Sequence, residues 1–399
     1  MTRPTPPALR SLLALCAALI GVPAASAQPL PQQRPDGQDL YDGGARPQVS
    51  VGAVVQRYGI EGDYTASSVA LPFSAALPLA GGRAGVTVRA AYVRAEIEEI
   101  ASVSGVADAG FGVHWRQPLG PAEALVGLGV GLPVGAKGLT AEEFFTALTL
   151  GRNELAFAVP QVGQGFQAAP SVAIAFPISP LVAAGAGATF VRRGGYQPFA
   201  DTDDAYDPAD ELTLTAGVEA DLRILALSLD LAYTRYGEDA FGGATFAPGN
   251  RFVATAQVGG SKGYVLARYR QRADGTIPNP AAGEDSVRTV IPFRPYEIRL
   301  ESGGRVGLGA VALGFGAAAR YYGDLRRFEE IDGVGDTFGA VGEHQLVFDL
   351  AVRPAISVGE RAEMTGQFVY SIGLGTLALP DDVPRLVGFA AGVGLRVGL

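Results

Sequence analysis

Apolar and polar positions alternate one for one over much of the chain, most regularly between Leu212 and Tyr236. In the first half Leu212, Leu214, Ala216, Val218, Ala220 and Leu222 share one parity, and Thr213, Thr215, Gly217, Glu219 and Asp221 hold the other. In the second half Leu225, Leu227, Leu229, Leu231 and Tyr233 alternate with Ala226, Ser228, Asp230, Ala232 and Thr234. A period of two is that of a β-strand with one apolar and one polar face. Only a tight turn at Arg223 fits between the halves, so the stretch predicts a hairpin. Each arm has about 11 to 13 residues, longer than the usual ~5–6 of soluble strands and near the ~9–11 that cross a bilayer at a tilt.

The pattern recurs along the chain and predicts strands at 46–57, 66–79, 83–96, 107–117, 122–135, 166–178, 181–193, 210–222, 224–236 and 251–258. Further strands follow at 263–272, 293–301, 306–321, 343–355, 361–372 and 385–399, about 16 in all, or 14 if one hairpin is misread. The connections alternate short and long. Short turns fall at 80–82, 119–121, 179–180, Arg223, 259–262, Ser302-Gly303-Gly304 and 357–360. Long loops centre on 58–65, 97–106, 136–165, 194–209, 237–250, 273–292, 322–342 and 373–384. Short turns on one side and long loops on the other are the habit of outer-membrane barrels, whereas a soluble sandwich has no reason to sort its loops. The expected fold is therefore all-β, a transmembrane antiparallel up-and-down β-barrel over 46–399, with both termini on the periplasmic side. It must close, because an open sheet edge in lipid leaves backbone groups unpaired at several kcal/mol each.

Composition sharpens this picture. The 399 residues include 55 glycines, which suit turns and barrel corners. Residues 1–27 read as a secretory signal peptide: Arg3 and Arg10, an apolar centre from Ser11 to Val22, and the small-residue site Ala25-Ser26-Ala27. Residues 28–45, rich in Pro, Gln, Asp and Gly, predict a flexible lead-in. Beyond residue 27 no apolar run reaches 18 residues, so the chain offers no transmembrane helix there. Cys16 lies within the signal segment, which leaves the mature chain no thiol chemistry. Cleavage removes two arginines and takes the net charge from −9 to about −11, a balance that excludes nucleic acid as partner.

The candidate chemistry is that of a pore lining. Arg268, Arg270 and Arg272 share the inward parity of one strand, and Glu297, Arg299 and Glu301 that of another. Asp230, Asp349 and Arg353 join them, with Glu219, Asp221, Glu363 and Gln367. Lumen charges of this kind tune what passes; internal salt bridges that merely solvate the wall are the alternative for any one residue. Acids crowd the long loops at Asp201–Asp210 and Glu329–Asp336, either drawing cations to the mouth or forming a solvated rim. From Thr140 to Leu150 a capping residue, two early glutamates and a stripe including Phe144 and Phe145 predict a short helix. That helix either folds into the mouth as a constriction or packs on the rim. His114 falls inward and His344 outward, no cluster has metal-ligand spacing, and no cofactor or catalytic set is implied. Aromatics near strand ends, among them Tyr92, Trp115, Tyr233, Tyr269, Tyr296, Tyr321, Phe368 and Tyr370, fit interfacial girdles.

The last strand alternates Val387, Phe389, Ala391, Val393, Leu395, Val397 and Leu399 with glycine, alanine and Arg396. It resembles the C-terminal recognition strand of bacterial outer-membrane proteins, though it ends on leucine rather than an aromatic residue. The resemblance implies delivery to the barrel-assembly machinery and an outer membrane of lipid and lipopolysaccharide. Outer-membrane phospholipases place an outward histidine with a serine two positions on; here that position is Leu346, and the pairing fails. The whole pattern is similar to outer-membrane channels for fatty acids and aromatic compounds, including barrels associated with phenol degradation. Residues 28–45 are too short for the plug usual in the fatty-acid group. The expected function is a porin-like channel for small solutes, hydrophobic or aromatic ones included. A structural or adhesion barrel and a barrel hydrolase are the alternatives.

Overall fold

The computed structural model describes residues 47–60, 64–98, 100–135, 138–140, 142–143, 146, 163, 165–200, 205–241, 244–273, 275–278, 288–291, 296–325, 343–359, 361–376 and 385–399. Sixteen antiparallel strands form one closed barrel. They are β1 (Gln48–Ile60), β2 (Tyr64–Leu79), β3 (Ala84–Ile97), β4 (Ala101–Val106 continued by Ala109–Leu119), β5 (Ala122–Leu132), β6 (Gln167–Ser179), β7 (Val182–Arg193) and β8 (Glu211–Asp221). Then follow β9 (Ala226–Tyr236), β10 (Arg251–Gly260), β11 (Gly263–Arg272), β12 (Tyr296–Leu308), β13 (Val311–Leu325), β14 (Glu343–Val358), β15 (Ala362–Thr376) and β16 (Arg385–Gly398). Each strand pairs with its sequence neighbours, and β1 pairs with β16 from Gln48 opposite Gly398 to Ile60 opposite Leu386. That seam removes both edges, so every strand has two partners, as a lipid-embedded sheet requires.

The alternation divides the two faces of the wall as the pattern requires. On β8 the leucines and valine of one parity are 39–50% exposed while Glu211 and Thr215 of the other are buried. On β9 Leu227, Leu229, Leu231 and Tyr233 project outward and Thr234 is buried within. The outward large apolar residues recur on every strand, an exposed apolar surface far beyond what a dissolved monomer tolerates. The outer wall is a lipid-facing surface. Inside, at the end of the barrel that carries the long connections, Tyr58, Val93, Ala95, Ile97, Tyr322, Val347 and Leu386 pack into a buried apolar cluster. Gly388 makes room for it, since a Cβ there would collide with the Tyr58 ring.

Two features depart from the sequence expectation. Ser302-Gly303-Gly304 is not a turn: β12 runs through it to Leu308, and the chain reverses at Gly309, whose φ is +67°. Gly303 is instead a site of close approach, because a side chain there would meet the Tyr264 ring at 2.6 Å. The second departure concerns the long connections. The first two separate Ile60 from Tyr64 and Ile97 from Ala101 by only three residues each, so the short–long alternation begins only after β5. In place of a long loop at 97–106, Ala101–Val106 pairs with β3, and an extra residue at Ala107–Asp108 bulges before β4 resumes against Ala84–Arg89. The bulge switches the outward parity from even to odd positions and frees the Asp108 carboxylate to accept the Gly135 N–H at 2.8 Å.

The other long connections are knitted together where they are described. Short strands at Tyr206–Asp207, Asp239–Phe241 and Ala244–Phe246 form a small sheet. Asp239 holds it: Oδ2 accepts from the Tyr206 hydroxyl at 2.7 Å and Oδ1 from the Ala209 N–H at 2.7 Å. Burial, with the Asp239 carboxylate, pushes the Tyr206 hydroxyl well above its ordinary pKa. Leu139 reaches across to Phe199 as a parallel bridge, tying a second connection into the same cap. The signal segment 1–27 and the lead-in 28–45 lie outside the described residues.

Candidate functional site

The charged lining is built by register. Residues directly opposite on neighbouring strands share a face, and following the pairing across β9 to β13 gives one transverse row: Asp230, Thr255, Arg268, Arg299 and Arg320. Adjacent strands lie about 4.8 Å apart, so three arginines stand side by side at that spacing. One step toward the long connections the row reads Val253, Arg270, Glu297 and Tyr322. One step the other way it reads Gln257, Leu266, Glu301, Ala318, Asp349 and Ser371. Arg251 and Arg272 face each other at the strand ends, both against the ring of Tyr236 at 5.9 and 5.3 Å.

Directly opposed like charges destabilise a sheet unless something neutralises them. The carboxylates do this in part. Arg270 pairs with Glu297 at 2.8 Å, and Arg299 with Glu301, which also accepts from the Tyr264 hydroxyl. Arg320, only 1% exposed, forks onto Asp349 through Nε at 2.8 Å and Nη2 at 2.9 Å. It also donates to the Tyr322 hydroxyl at 3.1 Å, and Ser371 donates to Asp349 at 2.7 Å. Arg268 receives no such partner: its Nε is buried without a hydrogen bond, and no described carboxylate forms an ion pair with it. Among the described inward side chains of β10 to β14, Arg251, Arg268, Arg270, Arg272, Arg299, Arg305, Arg320 and Arg353 outnumber Glu297, Glu301 and Asp349. The neighbouring face of β8 and β9 carries the opposite sign, with Glu219, Asp221 and Asp230.

The structure thus brings together Arg268, Arg270, Arg272, Glu297, Arg299, Glu301, Asp349 and Arg353 on one stretch of inner wall, with Asp230 at its border. Sequence reasoning missed Arg320 and Arg251. Arg320 shares the inward parity of Tyr322, yet small residues on both faces of β13 hide the alternation; Arg251 opens β10 in step with Thr255 and Gln257. Phe144 and Phe145 lie outside the described residues. Beside them Thr140 and Glu143 form a capping box: Glu143 N–H donates to the Thr140 hydroxyl at 3.2 Å, and Thr140 N–H to the Glu143 carboxylate at 2.9 Å.

Neither histidine joins the arginine wall. His114 faces inward on β4 near the short turns, beside Gly85. His344 faces outward on β14 and stacks on Tyr321, whose hydroxyl lies 2.9 Å from Nδ1.

No protein-family model and no curated protein sequence matches the chain. Solved structures similar to it include OprB of Pseudomonas putida, at 10% identity and a TM-score of 0.44, covering 90% of this chain and 96% of that one. An outer membrane channel from Pseudomonas putida F1 follows at 9% identity and 0.39, covering 90% and 97%. The monoaromatic hydrocarbon channel CymD has 11% identity and 0.39, covering 89% of each chain. The assignment of a closed sixteen-stranded barrel rests on the strand pairing itself.

Proposed function

We propose that the protein is an outer-membrane channel through which small polar solutes diffuse along an arginine-lined wall. The observation that carries the reading is the division of one closed sheet into a lipid-compatible outer surface and an inner surface that gathers charge on the sector from β9 to β14. A barrel built only to anchor loops gains nothing from arginines opposed across adjacent strands, which weaken the sheet. Passage of a charged or polar solute makes use of them. The lining favours polar solutes over hydrophobic or aromatic ones. Export by the segment 1–27 and assembly through the last strand accord with this placement. Outward Arg57, Arg94, Arg192 and Arg235, exposed near the long-connection end, suit phosphate-bearing lipid headgroups there.

The test is conductance. Purified barrel reconstituted in planar bilayers should give discrete steps in potassium chloride, and liposomes containing it should swell in small sugars or amino acids. A second reading, a sealed structural barrel, draws on the buried apolar cluster inside the upper end. Absence of both steps and swelling would favour it and overturn the channel.

A further inference from the structure

We infer that Arg268, flanked by Arg299 and Arg270, forms an oxyanion seat in the barrel wall that takes the carboxylate or phosphate group of a small solute. The inference deepens the channel reading and rests on it for its biological use, but the seat itself rests on the wall's own geometry.

Three observations converge. The first is register: Arg268 lies directly opposite Arg299, and Arg299 directly opposite Arg320, a like-charged row that an isolated sheet would select against. The second is how the acids are spent. Asp349 is held by Arg320 and Ser371, Glu301 by Arg299 and Tyr264, and Glu297 by Arg270. These pairs fix the guanidinium groups around Arg268; Glu297 also attracts Arg268, yet its ion pair is made with Arg270. The third is the buried, unpartnered Nε of Arg268, with a second orphan Nε on Arg299 directly across. A guanidinium offers five donors in a planar fork, and a carboxylate occupies two of them. Arg299, engaged by Glu301, therefore keeps donors that Arg268 can complement. An oxyanion between the two would satisfy buried N–H groups and relieve the repulsion between the strands at once.

The same wall explains the chemical class. Lysines would attract any anion as point charges, whereas forked arginines held by neighbouring acids suit the flat or tetrahedral oxygens of a carboxylate or phosphate. Thr255, opposite Arg268 on β10, separates the seat from Asp230, so the acidic face borders the site without filling it.

The experiment uses the full-length barrel in detergent and in bilayers, with succinate and inorganic phosphate as probes and chloride as the control anion. Titration calorimetry should detect binding of at least one oxyanion, and Arg268→Gln should weaken it about tenfold, the loss of one charge-assisted contact. Arg268→Lys keeps the charge but not the fork and should restore binding only in part; it also serves if Arg268→Gln does not fold. In bilayers the same oxyanion should block chloride current in the wild type and block it less in the variant. Preference for succinate over phosphate assigns a carboxylate solute, and the reverse a phosphorylated one. Conducting protein that binds neither probe, or whose Arg268→Gln variant binds as well as the wild type, overturns the seat and leaves the channel standing. Protein that binds through Arg268 but never conducts overturns the channel and leaves the seat.

Discussion

At the residue scale the lumen shows how a buried charge is tolerated in a membrane protein. Arg320 is almost wholly removed from solvent, and its cost is offset by a forked contact to Asp349 and a hydroxyl from Tyr322. Such pairs matter most when one member is lost, because the remaining charge is then buried alone. Asp349→Ala should therefore destabilise the barrel by about 3 kcal/mol, measured by denaturant unfolding in detergent. The double change Arg320→Met with Asp349→Leu should recover most of that loss, since apolar residues of similar size replace a buried pair at little cost. A single loss no larger than the double one would contradict this account.

At the element scale, hairpins set the strand register. The turn between β8 and β9 has two central residues, closed by the Leu222 N–H donating to Leu225 C=O at 2.8 Å. Arg223 occupies the first central position with φ +71°, a conformation that a two-residue hairpin turn usually gives to glycine. Arg223→Gly should stabilise the barrel by about 1 kcal/mol, read as a higher midpoint of thermal unfolding. A lower midpoint would mean that the arginine contributes a contact worth more than the strain. This turn was legible in the sequence because strong alternation on both sides left nowhere else for the reversal. Ser302-Gly303-Gly304 misled for the opposite reason: adjacent glycines signal a turn locally, while Gly303 here admits the Tyr264 ring from the neighbouring strand β11. The same limit hid Ala101–Val106, whose pairing with β3 depends on a bulge that shifts the alternation midway. Parity located the inward charges of β11 and β12; only register could show that Arg268, Arg299 and Arg320 form one row.

At the scale of the whole molecule, one rule governs every strand: alternate side chains meet different media. Leu231 faces outward near the middle of β9, and its neighbour Ala232 faces in. Leu231→Arg should cost about 2–4 kcal/mol in a bilayer, the penalty of a cation at mid-depth on the lipid face. Ala232→Arg, one position away, should cost much less, because it adds to a hydrated lining. Equal costs, measured by unfolding from lipid vesicles, would mean that the outer wall does not contact hydrocarbon.

The seam between the first and last strands has a consequence for biogenesis. Gln48 is bonded to β16, so the circle cannot be completed until Arg385–Gly398 has been made. Without that pairing β1 and β16 are two raw borders, each a row of unpaired backbone groups that hydrocarbon does not satisfy.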